Sequence, residues 1–172
     1  MKQNKLYKHV LCALFMALTC VATLAIHIPS PMEGYVNLGD CIVLLSGWIF
    51  GPVYGFLAGG IGSALADLLL GYGHYVPGTL IIKGLMAVIA ALIYRALSKK
   101  TKWSEVIGGV LAEIWMVGGY FIYASLLLGK GLAAASSIPG NLVQGAVGLV
   151  AGVLLIQILR RTHALDKWFD FQ

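Results

Sequence analysis

Charge is what this sequence has least of: Asp, Glu, Lys and Arg together make up 11% of its 172 residues, against 59% hydrophobic. A water-soluble domain of that size needs more polar side chains to cover its surface. The mean hydropathy of +0.87 therefore makes lipid, not water, the main solvent of the fold. Proline is scarce too, with five residues, so apolar runs continue as helix and each proline acts as punctuation. The three cysteines, Cys12, Cys20 and Cys41, are odd in number and lack the close pairing of a metal site or an evident disulfide partner. They read as small apolar helix residues, and no metal or cofactor is expected. The chain has no Gly-Lys-Ser/Thr phosphate loop, no His-Glu-x-x-His pair and no nucleophile elbow, so ATP hydrolysis and hydrolase chemistry both lack their usual signatures. A pI of 9.2 does not mark a nucleic-acid binder, because the positive charges fall at the ends of apolar runs.

Those runs predict an all-α fold: one integral membrane bundle of six transmembrane helices, filling residues 1–172 as a single domain. The first run, residues 6–28, follows Lys2, Lys5 and Lys8 like a secretory signal but is long enough to cross a bilayer. A turn-rich stretch, His27-Ile28-Pro29-Ser30-Pro31-Met32-Glu33-Gly34, comes next. Apolar sequence over 38–70 is too long for one span and is broken at Gly51-Pro52 into two short helices. Further helices are expected over about 77–97, 104–128 and 134–159. The amino terminus, the Arg95 to Lys102 region and the carboxy-terminal tail hold ten Lys and Arg, whereas the other side holds only Lys130. Positive residues collect on the cytoplasmic side, so both termini are expected there.

Charges inside apolar helices are costly unless paired or lining a cavity. Asp40, Asp67 and Lys83 lie toward the outer ends of the second, third and fourth helices, and Glu113 near the middle of the fifth. Asn37, His74, Tyr120, Tyr123, Asn141 and Gln144 fall in the same outer half. Asn141 and Gln144, three apart, share a face of the sixth helix, and Glu113 and Tyr120, seven apart, share one of the fifth. A cavity among helices four to six, capped by the first and third outer loops, would satisfy them together. Each has a structural reading as well. Asp67 with Lys83 reads equally as an ion pair between helices, Asp40 as a helix cap, His74 as a loop residue, Asn141 with Gln144 as an interhelical hydrogen bond, and Tyr120, Tyr123 and Trp115 as packing aromatics. Glu113 has the fewest inexpensive structural roles.

The 22 glycines point to close helix approach, with Gly55, Gly59 and Ser63 on the third helix and Gly148 and Gly152 on the sixth as packing faces. Ala13 and Ala17 share that four-residue spacing on the first helix, as a docking face or an internal seam.

The stretches Gly34-Tyr35-Val36-Asn37-Leu38-Gly39-Asp40, Gly51-Pro52-Val53-Tyr54-Gly55 and Gly59-Gly60-Ile61-Gly62-Ser63-Ala64-Leu65-Ala66-Asp67, set among six short helices, resemble the S components of energy-coupling factor (ECF) transporters. The resemblance implies a membrane subunit that captures a vitamin or precursor outside and works with a transmembrane coupling protein and two cytoplasmic ATPases. It also implies that Ala13 and Ala17 face the coupling protein, that the pocket lies toward the outside, and that the whole subunit topples to deliver its ligand. Candidate ligand contacts are Glu113, Lys83, Asn141, Gln144, Tyr120, Asp67, His74 and Asn37. Both signs of charge with aromatic faces suit a small polar heterocycle such as pyridoxine or hydroxymethylpyrimidine, with riboflavin and pantothenate still open. The rival readings are a self-sufficient secondary transporter or channel, with Asp67, Lys83 and Glu113 as a relay, and an intramembrane enzyme. The nearly bare inner half disfavours a relay, which should cross the full thickness.

Overall fold

The computed structural model describes residues 5–30 and 34–162. Lys2, Pro31, Met32, Glu33 and the tail with Lys167 lie outside the described residues.

Helix α1 (Lys5–Ala25) is the first span. It ends earlier than its hydropathy suggests, because the chain turns into a two-stranded antiparallel hairpin, β1 (His27–Ser30) and β2 (Gly34–Asn37). Two short strands thus stand where the sequence predicts only turns. Pro29 is compatible with the hairpin since each strand keeps a free edge.

Helix α2 (Asp40–Phe50) has 11 residues, about 16 Å at 1.5 Å per residue and so roughly half of a bilayer core. It compensates by burial: every residue from Asp40 to Ile49 is hidden among the other helices. Gly51, at φ +82°, then turns the chain sharply, in a conformation that costs a residue with a Cβ. Pro52 opens α3 (Pro52–Phe56), which runs through a wide π turn at Leu57–Ile61 into α4 (Gly62–Leu69), together one span. Two further spans follow, α5 (Val76–Leu97) and α6 (Ser104–Ile122), the latter prolonged by a π turn at Tyr123–Leu127. A 3-10 segment, Gly131–Ser137, leads into the last, α7 (Ile138–Arg161). Pro52, Pro77 and Pro139 all sit in first turns, where no intrahelical hydrogen bond is lost.

Among the described residues, five helices are long and apolar enough to cross a membrane, and α2 is a shorter sixth. Their outer faces are apolar: Leu14, Leu18 and Val21 on α1, Ile81 and Leu92 on α5, and Val143 and Val150 on α7 are exposed. With no hydrophobic drive between helices in lipid, close approach comes from small residues. A Cβ on Gly60 would stand 2.6 Å from the Leu80 carbonyl oxygen, and one on Gly55 2.9 Å from the Gly47 Cα. Gly148 is pressed against Asp40, and Gly152 against Cys41 and Trp48. At the end where α5 stops and α6 starts, Arg160 pairs with Glu105 and donates to the Tyr94 hydroxyl at 3.0 Å, joining α7, α6 and α5.

Candidate ligand pocket

At the opposite end of the bundle, six segments converge on one cavity. It is lined by Tyr35 and Asn37 of the hairpin, Asp67 of α4, Tyr75 and Thr79 at the start of α5, Tyr120 of α6, Ser137, and Asn141 and Gln144 of α7. The cavity holds about 450 Å³ outside protein atoms, its open mouth included, and lies as a slot between tyrosine rings. Other hollows lie at the Gly51 break, lined by Tyr7, Lys8, Tyr54 and Arg95, and beside Pro52 and Phe56, where the lining is wholly apolar. Neither gathers so many hydrogen-bonding groups from separate elements, which is the mark of a specific site.

The floor of the slot is a polar network assembled from α2, α5 and α7. The Lys83 ammonium is paired with Asp40, both fully buried. The other Asp40 oxygen accepts from Gln144 Nε2 at 2.8 Å. The Gln144 side-chain oxygen accepts from the Asn37 backbone N–H at 2.8 Å, while Asn37 Oδ1 accepts from the Gly39 N–H at 2.8 Å. One amide thus fastens the hairpin to the ion pair. Asp40 is not a capping side chain, contrary to the sequence reading, because its carboxylate is directed inward to Lys83 and Gln144.

Lys83 therefore pairs with Asp40 and not with Asp67, the partner the sequence suggested as one alternative. Asp67 instead accepts from the Tyr35 hydroxyl at 2.5 Å. Burial and the neighbouring Asp67 charge push the Tyr35 hydroxyl above its ordinary pKa, so the phenol holds its proton and donates it. Thr79 shares a 3.0 Å hydrogen bond with the Tyr120 hydroxyl.

Rings roof the slot: Tyr35 meets Tyr72 with centroids 4.9 Å apart, His74 meets Tyr75 at 4.8 Å, and Tyr75 meets Tyr120 at 6.2 Å. The Tyr123 hydroxyl donates to the His74 carbonyl at 2.8 Å, tying this loop to α6. Lys130 lies over the outer ring, 5.6 Å from the Tyr75 centroid.

Of the residues expected at the site, Asn37, Asp67, Tyr120, Asn141 and Gln144 line the slot together. Lys83 is beneath it, inside the network, and His74 is exposed on the roof. Glu113 is buried behind the network against Gly145 and Gly148, outside the lining, with neither carboxylate oxygen hydrogen-bonded. Trp115 clamps α6 to α5, its indole N–H donating to the Ile82 carbonyl at 3.0 Å. Sequence reasoning did not select Tyr35, Tyr75, Thr79 or Ser137. The first three had a usable signal, being hydroxyl-bearing residues at the outer ends of segments already assigned to that side.

Gln144→Leu is expected to weaken ligand binding by about tenfold to a hundredfold, since it leaves the Asn37 N–H and an Asp40 oxygen unsatisfied, at about 1–3 kcal/mol each. Titration of the purified variant checks this, and wild-type affinity would show that the hairpin needs no such tether.

Comparison with known proteins agrees with the architecture. Residues 3–161 match the family described as the S component of the ECF-type riboflavin transporter. The chain is 31% identical over 168 residues to the thiamine precursor transporter HmpT of Lactococcus lactis, covering 96% of this chain and 95% of that protein. It is 38% identical over 143 residues to a Pyrococcus woesei protein of uncharacterised role, covering 82% and 93% respectively. A solved S component of a bacterial ECF transporter shares the fold, with a TM-score of 0.70 at 21% identity over 92% of this chain and 98% of that one. The family consists of transporter components and not enzymes, and the chain is a multi-pass membrane protein belonging to the S components of ECF transporters.

Proposed function

We propose that this S component captures a small vitamin or vitamin precursor, a pyridoxine-like or hydroxymethylpyrimidine-like heterocycle, from the outer side of the cell membrane. A transmembrane coupling protein and two cytoplasmic ATPases then drive its import. The observation that carries this reading is the slot itself: polar side chains from six segments meet between tyrosine rings at the end of the bundle away from the positive clusters. The likeness to a protein named as a thiamine precursor transporter favours a single-ring heterocycle over a fused three-ring flavin. Asn37, Asp67, Tyr120, Asn141 and Gln144 act as direct contacts. Lys83 and Glu113 support them from below, and His74 belongs to the roof.

Purified protein should carry or take up such a heterocycle tightly and return it unchanged, as followed by mass spectrometry and titration. Product formation, or uptake driven by protons or sodium without partners, would contradict the proposal.

Ala13 and Ala17 are both exposed on α1, beside Leu14, Leu18 and Val21. They leave a shallow strip on which a partner helix can lie. Ala17→Trp should abolish uptake in cells holding the complete transporter while ligand titration of the isolated subunit stays unchanged; normal uptake would place the docking face elsewhere.

A further inference from the structure

We infer that the ligand presents an N–H donor, as an exocyclic amine or a protonated ring nitrogen, to the free oxygen of Asp67, and that the pocket selects against carboxylate-bearing vitamins. This deepens the proposed capture function and rests on it.

The argument begins with a charge count inside the slot. Among the described residues, Asp67 is the one ionisable carboxyl lining the slot, and no Lys, Arg or His lines it. Lys83, the cation nearest in depth, is 1% exposed and committed to Asp40. Lys130 lies outside, over the Tyr75 ring. Lys83 and His74 are felt at Asp67 only from outside the lining, so an anionic ligand would bring a second negative charge beside Asp67 in a poorly solvated space with no cation in direct contact among the described residues.

The two Asp67 oxygens then differ. Oδ1 accepts from Tyr35. Oδ2 is buried and has no hydrogen-bond partner among the described residues, and the residue, 2% exposed, forms part of the pocket wall. A buried acceptor without a donor is expensive. Tyr35 has its proton on Oδ1, and the Thr79 hydroxyl, which lies near Asp67 and shares with Tyr120 a hydrogen bond that either oxygen can donate, makes no hydrogen bond to Oδ2, so a donor entering the slot can complete that oxygen.

The surroundings fit such a donor. Tyr35, Tyr75 and Tyr120 present ring faces that favour a planar heterocycle and attract any positive charge on it. Asn141 and Ser137, on the other side of the slot, can serve the remaining polar edge.

The test compares hydroxymethylpyrimidine with an analogue whose 4-amino group is replaced by methyl, which keeps size and shape and removes the donor. Pyridoxine, pantothenate and nicotinate complete the panel, titrated into the purified wild-type protein and into Asp67→Asn. The amine should bind about tenfold to a hundredfold tighter than its methyl analogue, with pantothenate and nicotinate weaker than either. In Asp67→Asn that preference should disappear. Equal binding of amine and methyl analogue, or a carboxylate as tightest ligand, overturns the inference and leaves vitamin capture standing. A preference that survives in Asp67→Asn removes Asp67 as the acceptor. Should wild type bind none of the panel, the proposed heterocycle capture fails and this inference with it. The wild-type comparison of the two pyrimidines decides the matter even where Asp67→Asn fails to fold. Pyridoxine separates the two donor types, since it has a ring nitrogen that can be protonated but no exocyclic amine.

Discussion

Replacing Lys83 with Met will destabilise the protein by about 3–5 kcal/mol, because it leaves the Asp40 carboxylate buried without its cation. Both side chains are fully buried, so water cannot take over the lost interaction. The effect should reach the ligand too, since Asp40 holds Gln144 and Gln144 holds the hairpin at Asn37. Thermal unfolding of the purified variant in detergent measures the first consequence and titration the second. The double variant Lys83→Met/Asp40→Asn removes both charges at once. It should regain much of the lost stability, because a neutral amide can still accept from Gln144 while no ion remains buried alone. A single variant that melts like wild type would mean that the pair is already neutral.

The second large effect is expected from Gly47→Val. A Cβ at Gly47 would run into the Ala87 carbonyl, and Gly55 lies on its other flank. Backbone cannot withdraw as a side chain does, so α2 would be forced away from α5 and from α3. Overpacking of this kind costs about 1–3 kcal/mol and more where backbone must shift. The comparison is Gly118→Ala on α6, where a Cβ meets nothing within 4 Å. That change should leave stability unaltered or raise it by up to about 1 kcal/mol through helix propensity. Melting curves of the two variants should diverge sharply; equal curves would mean that α2 is not held by direct backbone contact.

Helix positions were largely legible in the sequence, because a bilayer imposes a long apolar period that few side chains interrupt. The Gly51-Pro52 break was readable for a local reason: a glycine free to take positive φ stands next to a proline suited to a first turn. The hairpin was not legible. Its strands are four residues each, too short for alternation to show, and Pro29 and Pro31 gave the stretch the look of a plain turn.

At the site, depth along the helices groups Asp67, Tyr120, Asn141 and Gln144, and all four line one cavity, since polar residues near the same end of neighbouring helices have few other destinations. Pairing was harder to read than depth. Asp40 and Asp67 lie at similar heights, and only the rotation of α2 and α4 about their axes decides which of them faces Lys83. The same angular ambiguity hides Glu113, which points at Gly145 and Gly148 and away from the slot. Tyr35 escaped notice because it lies on the hairpin, where its reach to Asp67 depends on a fold-back that hydropathy does not encode.

The floor of the slot has a mechanical corollary. Beneath Asp40 the chain continues through Val43, Leu44 and Trp48, none with measurable exposure, met by equally enclosed Met86 and Met116. Among the described residues the chamber is a cul-de-sac, and under the capture function proposed above its cargo would leave by the door through which it entered. Delivery to the far side of the membrane would then carry the doorway along, a journey for which a greasy-sided body is suited.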